Sequence, residues 1–444
     1  MHDKDVIVIG AGASGMMAAG RAAESGARVV LMEKTSHTGN KILISGKSRC
    51  NLTNVRDIDN FIAMYGSNGR FLFSAFSHYF RDDLVAFLNR YGVETRTESD
   101  GRIFPASDDA RDIVKAFQHY LAEQHVRIHP CVNITGIVLD KGCVAGVQSE
   151  SKTYPAGAAI LATGGASYPN TGSSGDGYRI ASAVGHTIVR LRPSLVPLVV
   201  VEKGRARSMQ GVSLRNVRLT AYKSEADDIE LSRIPTRDSG RGIIGRQSRL
   251  PVIESRTGDM MITHFGLSGP ITLQMSLAIV DALEQGPVSV SIDLYPELSV
   301  QELRRQLQQY FSCHSNKSYH NILKILLPQK LIMPFIEMTG ISSDKRCHQV
   351  SSEERERLLC SLKSLRFNIK SPLSLAAAMV TAGGVSLKEI DPRTMSSRLI
   401  AGLYFCGEVM DIDAETGGYN LQAAFSTGYV AGEHAAGYVA NLWQ

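Results

Sequence analysis

Near the start of the chain, a short run of apolar residues is followed by a helical pattern and a second apolar run. The β-branched residues at positions 6–9 are typical of a strand that is buried on both faces. Alanines at positions 18, 19, 22 and 23 favour a helix, and Gly26 lies where a helix end is expected. Residues 28–32 predict a second strand. The pattern therefore predicts a βαβ unit of an α/β fold.

The next stretch carries one apolar stripe at helical spacing, which predicts a single helix over residues 69–91. Residues 93–104 predict a hairpin that turns at Asp100 and Gly101. Ser107 is the expected cap of a helix over residues 108–124. Strands then alternate with turns over residues 126–155, before an apolar strand at 158–162 and a helix at 178–184.

From residue 192 the pattern changes to short β-like pieces that are separated by prolines. This indicates an inserted, mostly β domain that extends to about residue 295. Helical spacing follows over residues 300–340 and again over residues 353–365. After residue 372 the chain returns to glycine-rich strand and turn patterns, and the last helix is predicted over residues 421–436.

Three glycines join the first predicted strand to the first predicted helix. Gly10, Gly12 and Gly15 form a G-x-G-x-x-G turn, in which backbone without Cβ atoms can approach a pyrophosphate at a helix N-terminus. Glu33 follows eighteen residues after Gly15, where a carboxylate can accept hydrogen bonds from ribose hydroxyls. This acid favours FAD or NAD over NADP. The alternative is an ordinary βαβ unit that binds no nucleotide.

Composition limits the class of protein without naming it. The chain has 444 residues, of which 43% are apolar and 20% are charged, and it contains no apolar run long enough to cross a bilayer. No signal peptide is visible, and no pattern for zinc, iron–sulfur or haem is present. Seven cysteines without C-x-x-C spacing favour reduced thiols, so we expect a cytoplasmic protein without a metal site.

The net charge of +5 is unevenly distributed along the chain. One segment, from Lys203 to Arg256, is rich in arginine, whose planar guanidinium suits phosphate binding. Its arginines are Arg205, Arg207, Arg215, Arg218, Arg233, Arg237, Arg241, Arg246, Arg249 and Arg256. A nucleic-acid surface is one interpretation, and a solvated face or a set of internal ion pairs is the other.

A loop rich in Gly, Ser, Asn and Thr follows Glu33 and extends through residues 35–54, in the direction of the reactive end of a bound cofactor. Cys50 lies in this loop beside Arg49. A thiol next to a cation can have a lowered pKa and exchange a proton with a substrate. The other interpretation is that the thiol is a small buried filler.

Later glycine motifs resemble those of the glutathione-reductase-like FAD-binding fold. The strand at 158–162 ends in an A-T-G-G sequence, and a C-terminal strand ends in Gly407 and Glu408, where proteins of this class bind the ribityl chain. Residues 417–422 then open the last helix, whose N–H groups could face the N1–C2=O edge of a flavin.

Taken together, the motifs resemble the YhiN/BaiN-like family of FAD-dependent flavoproteins over nearly the whole chain. They are GAGASG (10–15), KILISGxxRCNLTN (41–54), ATGG (162–165), TGSSGDGY (171–178), THFGLSGP (263–270), GLYFCGEVMDID (402–413) and TGGYNLQ (416–422). The chain departs from the family pattern at Asn40, where Arg is usual, and at Lys47 and Ser48, which replace two glycines.

The resemblance implies a glutathione-reductase-like Rossmann FAD-binding domain with an inserted β-barrel domain and a small helical subdomain. The FAD-binding domain is expected at 1–191 and 372–444, the barrel at 192–299 plus about 341–371, and the helical subdomain at 300–340. The residues expected to contact FAD are Gly10, Gly12, Ala13, Ser14, Gly15, Glu33, Lys34, Lys41, Ser45, Gly46, Val132, Ala162, Thr163, Gly164, Gly165, Gly407, Glu408, Asp411, Gly417, Gly418, Tyr419, Asn420, Leu421 and Gln422.

Three activities agree with the resemblance. The first is reduction of uracil in ribosomal RNA, with NAD(P)H as a transient reductant, hydride delivery to C6 and protonation at C5. The second is reduction of a small enone such as a steroid-like compound, and the third is oxidation of an amine by oxygen. A non-enzymatic, FAD-dependent RNA-binding or structural protein is the remaining alternative. For the first activity Cys50 is the candidate acid, and Arg49 and His264 are candidates for orienting or polarising the substrate.

Overall fold

The computed structural model describes residues 5–229 and 251–442. Contacts within the chain divide it into two compact units. Unit 1 contains the residues up to Arg192 and those from Leu375 onward, and unit 2 contains Pro193–Ser374. The first and last parts of the sequence therefore fold together, and unit 2 is an insertion between them.

The described residues form the following strands and helices, numbered in chain order. The strands are β1 (Asp5–Ile9), β2 (Arg28–Met32), β3 (Thr53–Asn54), β4 (Thr95–Thr97), β5 (Arg102–Pro105), β6 (Arg127–His129), β7 (Ile134–Asp140), β8 (Cys143–Ser149), β9 (Thr153–Pro155), β10 (Ala158–Leu161), β11 (Ile188–Ser194), β12 (Leu198–Val200), β13 (Ser213–Tyr222), β14 (Val252–Ile262), β15 (Gly266–Ser268), β16 (Val288–Asp293), β17 (Leu365–Pro372), β18 (Val380–Val385) and β19 (Leu403–Phe405). The helices are α1 (Ala13–Glu24), α2 (Asn40–Ile44), α3 (Ile58–Ala63), α4 (Phe73–His78), α5 (Arg81–Arg90), α6 (Ala110–Glu123), α7 (Asp176–Ala183), α8 (Lys203–Ser208), α9 (Pro270–Leu283), α10 (Val300–Cys313), α11 (Tyr319–Leu326), α12 (Gln329–Thr339), α13 (Ser352–Lys363) and α14 (Tyr419–Asn441).

A five-stranded parallel sheet forms the centre of unit 1, in the order β19-β10-β1-β2-β6. Val8 of β1 is aligned with Ile160 of β10 on one side and with Leu31 of β2 on the other. All five residues of β1 are buried, as the continuous apolar run predicted. The sheet is thus a Rossmann-type core that is completed by a strand from the C-terminal part of the chain.

Helices α1 and α14 pack against each other with their backbones in close contact. A Cβ atom on Gly428 would lie 2.4 Å from the carbonyl oxygen of Ser14, and one on Gly432 would lie 2.3 Å from that of Ala18. Only glycine at these two positions permits this approach. The packing fixes the N-terminal ends of the first and last helices relative to one another.

Two small antiparallel sheets, β3-β5-β4 and β7-β8-β9, flank the core of unit 1. The hairpin predicted over residues 93–104 is present as β4 and β5. The cap predicted at Ser107 is wrong, because the Asp109 side chain accepts the Arg111 N–H and the helix begins at Ala110. Asp caps a helix in the same way as Ser, because its side-chain oxygen accepts a backbone N–H of the first turn.

The single helix predicted over residues 69–91 is wrong. The chain forms a 3₁₀ segment at Gly66–Leu72, then α4 and α5, with extended backbone at Tyr79 and Phe80 between them. The Asp83 carboxylate accepts the Phe80 N–H at 2.8 Å, and the Ser426 hydroxyl donates to the Tyr79 carbonyl at 2.6 Å. These side chains satisfy the backbone groups that the break exposes, so the break is stable.

Unit 2 contains a closed six-stranded barrel in the order β12-β15-β14-β13-β16-β17. Helices α10–α13 share one buried apolar cluster with the inward-facing barrel residues. The mostly β interpretation of residues 192–295 missed α9, a helix of fourteen residues that begins at Pro270. Proline at the first position of an apolar stretch is a helix-start signal that was available in the sequence. The α/β fold with an inserted barrel is confirmed.

Within the described residues, no helix combines the length and the apolar character that crossing a membrane requires. The same ranges contain no group of three or more His, Cys, Asp or Glu side chains that could hold a metal ion. All seven cysteines are free thiols.

Candidate functional site

The carboxyl ends of the parallel strands bring distant parts of the sequence to one edge of unit 1. Strand β1 leads into Gly10, β2 into Glu33, β10 into Ala162 and β19 into Gly407. Ligands of open parallel sheets bind outside this edge, because the strand ends and the helix N-termini meet there. The edge is therefore the candidate cofactor site.

The structure places the predicted contact residues in five groups around this edge. They are Gly10, Gly12, Ala13, Ser14 and Gly15 in the turn into α1; Glu33, Lys34 and Val132 at the ends of β2 and β6; Lys41, Ser45 and Gly46 in and after α2; Ala162, Thr163, Gly164 and Gly165 after β10; and Gly407, Glu408, Asp411, Gly417, Gly418, Tyr419, Asn420, Leu421 and Gln422 between β19 and the first turn of α14. All belong to unit 1. Their contact with a cofactor stays a prediction.

The turn between β1 and α1 is built on close backbone contacts. Gly10 has φ of +101°, and a Cβ atom on Gly15 would lie 1.8 Å from the Gly10 carbonyl oxygen. A Cβ atom on Gly12, by contrast, would meet no protein atom within 4 Å. Gly12 is the N-cap of α1, where no side chain caps the helix. The turn thus leaves open space directly in front of unpaired helix N–H groups.

Glu33 is buried beside this turn. Its carboxylate accepts hydrogen bonds from the backbone N–H groups of Ala11 and Thr35, each at 2.8 Å. The Val132 N–H donates to the Glu33 carbonyl and ties the loop after β6 to the same place. The bond to Ala11 links the predicted ribose-binding acid directly to the predicted pyrophosphate-binding turn.

Lys34 connects this end of the site to the second glycine cluster, residues 171–177. Its ammonium contacts Ser174 and lies 2.6 Å from the Asp176 carboxylate. Burial would raise the pKa of Asp176, but the hydrogen bonds from Lys34 and Ser174 outweigh it and hold the pKa below its usual range. The prediction of contact residues left out Ser174 and Asp176, although their motif was visible in the sequence.

A second network joins α2 to the turn after β19. The Lys41 ammonium lies 2.6 Å from the Glu408 carboxylate and 2.7 Å from the Ser167 hydroxyl. Glu408 also accepts the Thr381 N–H at 2.8 Å. A Cβ atom on Gly165 would lie 2.5 Å from the Thr381 hydroxyl oxygen, so this position requires glycine for close packing. The Ser167 hydroxyl also donates to Glu408 at 3.2 Å, so three hydrogen-bond donors hold this carboxylate in place.

The N-terminal end of α14 begins at Gly418 in a left-handed conformation, with no side-chain cap and no acidic residue in the first turn. The backbone of Thr53 lies against Gly418, since a Cβ atom there would be 2.5 Å from the Thr53 carbonyl oxygen. The Thr53 hydroxyl and the Gln422 side-chain carbonyl are buried, and within the described part of the chain neither has a hydrogen-bond partner. Such buried polar atoms require a partner.

These features fit FAD. Two uncapped helix N-termini suit a pyrophosphate and the electron-rich edge of a flavin, and Glu33 suits a ribose. The open space at Gly12 lies in front of the first of these N-termini, where a pyrophosphate would fit. Burial raises the pKa of the Asp411 carboxyl group. The residue is anchored through its backbone, because its carbonyl accepts a hydrogen bond from the Asn68 side-chain amide at 2.7 Å.

The candidate catalytic pair does not behave as its sequence suggested. Cys50 is fully buried, and burial raises its pKa to about 12. The expectation that Arg49 lowers this pKa is wrong, because the Arg49 guanidinium binds Glu98 at 2.7 Å and lies 4.2 Å from the Phe104 ring centroid. Arg49 therefore anchors its loop to the β4–β5 hairpin. A role of Cys50 as proton donor stays a prediction.

His264 belongs to unit 2, at the tip of the tight turn between β14 and β15. The turn is closed by the Thr263 N–H, which donates to the Gly266 carbonyl at 2.8 Å. His264 is exposed, and its ring packs edge-on against Phe265 at 5.0 Å. Its predicted orienting or polarising role stays a prediction.

The fold has known counterparts among flavoenzymes. The 3-ketosteroid delta1-dehydrogenase from Sterolibacterium denitrificans superposes with a TM-score of 0.52 at 13% identity, over 98% of this chain and 100% of that one. At this identity the likeness concerns the fold alone. The Rossmann-type sheet, the barrel and the cofactor edge together define an FAD-binding fold, and the family to which the chain belongs makes it an FAD-dependent oxidoreductase.

The family follows from the sequence. The model of the HI0933-like protein Rossmann domain matches residues 4–434, and the chain belongs to this family. It is 31% identical over 433 residues to the 3-dehydro-bile acid delta(4,6)-reductase of Clostridium scindens, which covers 97% of this chain and 98% of the relative. It is 29% identical over 436 residues to the ribosomal RNA dihydrouridine synthase of Escherichia coli, which covers 98% of each. The resemblance drawn from the motifs is confirmed.

Proposed function

We propose that this protein reduces an activated carbon–carbon double bond with electrons from NAD(P)H, and that the bond is the 5,6 double bond of uracil in ribosomal RNA. A hydride from NAD(P)H ends on C6 and a proton ends on C5, so the products are dihydrouridine and NAD(P)⁺. When bound, FAD supplies the two-electron carrier between these two partners. The proposed substrate requires a cytoplasmic enzyme.

The observation that carries this proposal is the end-to-end similarity to two relatives with one kind of chemistry. The names of both relatives describe the reduction of a double bond, in a 3-dehydro-bile acid for one and in a uridine of ribosomal RNA for the other. In each, a carbonyl conjugated to the bond accepts the developing negative charge. The shared chemistry supports double-bond reduction in this chain more strongly than amine oxidation.

The residues of unit 1 support this chemistry by holding the cofactor. The turn at Gly12 and the carboxylate of Glu33 would bind its nucleotide half, and Lys41 with Glu408 would bind its ribityl half. The uncapped end of α14 would stabilise negative charge on the reduced flavin by roughly 0.3–2 kcal/mol. Since about 30 mV corresponds to 1.4 kcal/mol for a two-electron couple, this helix would raise the potential by some tens of millivolts.

The proton on C5 needs a donor, and Cys50 is the candidate from the sequence. Its thiol stays protonated at neutral pH, but it is fully buried, and burial raises its pKa to about 12, far above the pH at which a general acid works best. Arg49 has a different task, because its guanidinium is bound to Glu98 and Asp108. We assign to Arg49 the positioning of the loop that carries Cys50.

Two substrates are compatible with the fold. Exposed cations of unit 2, described below, favour RNA. The similar identity to the bile-acid reductase supports a small enone as the second candidate. The two candidates differ in what the enzyme must bind outside the reacting ring, since RNA requires phosphate contacts and an enone requires an apolar pocket.

The test compares dihydrouridine in ribosomal RNA from cells with the gene, without it and with the gene restored, using mass spectrometry of nucleosides. We expect the modification to disappear with the gene and to return with it. Unchanged dihydrouridine in all three would contradict the RNA proposal and favour the small enone.

A further inference from the structure

The structure sorts the arginine-rich segment into buried and exposed side chains. Arg218 is buried in the barrel wall, and Arg256 donates to the buried Glu254 carboxylate at 2.5 Å. These two arginines serve the fold. The five from Arg233 to Arg249 lie outside the described residues. Of the ten, Arg205, Arg207 and Arg215 remain as exposed side chains, together with Lys203 at the start of the segment.

Helix α8 presents two of these cations on one face. Lys203 and Arg207 are four residues apart and therefore lie side by side. Two like charges at this spacing weaken a helix. Among the described residues, neither side chain has a hydrogen-bond or ion-pair partner. Arg205 instead packs on the barrel, where it donates to the Arg366 carbonyl at 3.3 Å.

Further cations and exposed apolar side chains surround this face. Lys330 of α12 reaches the segment after α8, where its ammonium donates to the Gln210 carbonyl at 3.1 Å. Arg215 is exposed near the start of β13, and nothing in the described chain pairs with it. Val201 and Met261 are 58% and 42% exposed, and Met261 is aligned with Ser213.

The acids near this face are already engaged. The Glu202 carboxylate accepts the backbone and side-chain N–H groups of Asn368 at 2.9–3.2 Å. The Asp259 carboxylate accepts the Asn216 N–H at 3.0 Å. Several exposed arginines elsewhere, such as Arg304 with Glu356, are ion-paired, whereas Arg70 and Arg305 form no ion pair within the described chain. This face is therefore distinguished by the grouping of such cations on and beside one helix, and not by the lack of ion pairs alone.

We infer that this face of unit 2, which we call the α8 face and define by Lys203, Arg207, Arg215 and Lys330, binds the phosphate backbone of the RNA substrate. The inference rests on the proposed function and names the surface by which that substrate is held. The phosphates of one strand suit a group of cations that form no ion pairs within the described chain, and the release of their counterions supplies the affinity. The neighbouring apolar side chains Val201 and Met261 supply contacts for bases or sugars.

The experiment uses the full-length, FAD-loaded protein and unmodified ribosomal RNA transcribed in vitro. RNA binding is measured by filter retention between 50 and 400 mM KCl for three proteins. They are the wild type, the variant K203Q/R207Q/R215Q and a charge-matched control, R305Q/K317Q/K324Q, whose substituted residues are exposed on α10, α11 and the segment between them. Vesicles of equal parts phosphatidylglycerol and phosphatidylcholine provide a second anionic surface.

We expect the α8-face variant to bind RNA at least about tenfold more weakly at 100 mM salt, with a log–log salt slope smaller by about 2, as three lost phosphate contacts predict. The control variant keeps the wild-type affinity and slope. The rate at which NAD(P)H reduces the flavin stays at its wild-type value in both variants, which shows that the FAD site is intact.

Other results would overturn the inference. If the α8-face variant binds RNA like the wild type while the wild type forms dihydrouridine, the surface is wrong and the proposed function stands. If the control loses as much affinity as the test variant, binding follows net charge and needs no specific face. If the wild type binds the vesicles but not RNA, the face serves a membrane surface. If the variant loses RNA binding but the wild type forms no dihydrouridine, the surface stands and the proposed function fails.

Discussion

The ammonium of Lys41 lies 2.6 Å from the carboxylate of Glu408, although 367 positions separate the two residues in the sequence. The pair joins the helix after β2 to the turn after β19. Both side chains are partly exposed, so solvent screening limits the contribution of the pair to stability. Its importance lies in fixing the Glu408 carboxylate, which also accepts the Thr381 N–H.

Replacing Glu408 by Gln should weaken FAD binding. The amide keeps the size of the side chain but loses the charge that holds Lys41. We expect the Kd for FAD to rise about tenfold, which corresponds to 1.4 kcal/mol. The measurement is a titration of apoprotein with FAD, followed by the quenching of flavin fluorescence. The control is Glu433→Gln, which removes a carboxylate on α14 that pairs with Arg21 of α1. Equal affinities of E408Q and E433Q would contradict this role of Glu408.

Gly12→Ala separates cofactor binding from folding. A Cβ atom at Gly12 meets no protein atom within 4 Å, and its φ of −79° is open to any residue. We therefore expect the free energy of unfolding of the apoprotein to change by no more than about 1 kcal/mol, as for other Gly-to-Ala changes at an N-cap. FAD affinity should fall at least about tenfold, because the methyl group occupies the space where the pyrophosphate is expected.

Gly437→Ala is the matched control for this variant. Gly437 also has open space at its Cβ position, but it lies near the C-terminal end of α14. Alanine there should leave FAD affinity unchanged and raise stability by about 0.5–1 kcal/mol. Unaltered FAD binding by Gly12→Ala would show that the turn does not hold the cofactor.

Gly432→Ala should destabilise unit 1. Its Cβ atom would lie 2.3 Å from the Ala18 carbonyl oxygen, so α14 must move away from α1. Overpacking of this kind typically costs about 1–3 kcal/mol. Urea unfolding monitored by circular dichroism measures the loss. Because the shift also displaces the N-terminal end of α14, flavin binding should weaken in parallel. If the Gly432→Ala variant unfolds at the same urea concentration as the wild type, the contact between α1 and α14 is loose enough to accept the added methyl group.

Cys50 should resist alkylation in the native protein. Its pKa of about 12 leaves almost no thiolate at pH 8, whereas the exposed thiols of Cys131 and Cys313 are accessible to reagent. Iodoacetamide treatment followed by peptide mass spectrometry should label Cys131 and Cys313 first, and label Cys50 only after unfolding. Labelling of Cys50 at the rate of Cys313 in folded protein would indicate an activated thiol.

Burial of two cysteine thiols makes the free energy of unfolding depend on pH. Cys50 and Cys406 both have folded-state pKa values raised by burial to about 12, above the value of 9.0 for a free thiol. The contribution of these two thiols to the free energy of unfolding is fully present below about pH 9. It is lost as the pH rises towards 12, because the unfolded chain then releases protons that the folded chain retains. Unfolding midpoints in urea should fall over this range, and less so in Cys406→Ala than in the wild type.

Local pattern was sufficient to predict the core of unit 1. The run at 6–9, the turn at Gly10–Gly15 and the acid at Glu33 are close in sequence, and each has one conformation that suits its residue types. The change of pattern at residue 192 also indicated an inserted, mostly β domain, whereas its barrel topology was implied by the family resemblance. These features depend on interactions within some 30 residues or on composition.

The parts that sequence could not supply depend on distant partners. The break at Tyr79 is stabilised by Ser426, 347 positions away, and no local signal identifies that partner. Arg49 was placed beside Cys50 by sequence, but Glu98 and Phe104 hold its guanidinium in the fold. The pairing of Lys34 with Asp176 likewise requires the folded sheet. Side-chain chemistry in a loop is decided by what the fold brings near it.

The most direct test of the proposed function incubates the purified holoenzyme with unmodified ribosomal RNA and either NADH or NADPH under anaerobic conditions, followed by nucleoside mass spectrometry. A steroid 4-en-3-one is supplied in a parallel reaction. We predict that dihydrouridine forms only with enzyme and reduced nicotinamide, and that the steroid is reduced slowly or not at all. Reduction of the steroid with no trace of dihydrouridine would contradict the proposal.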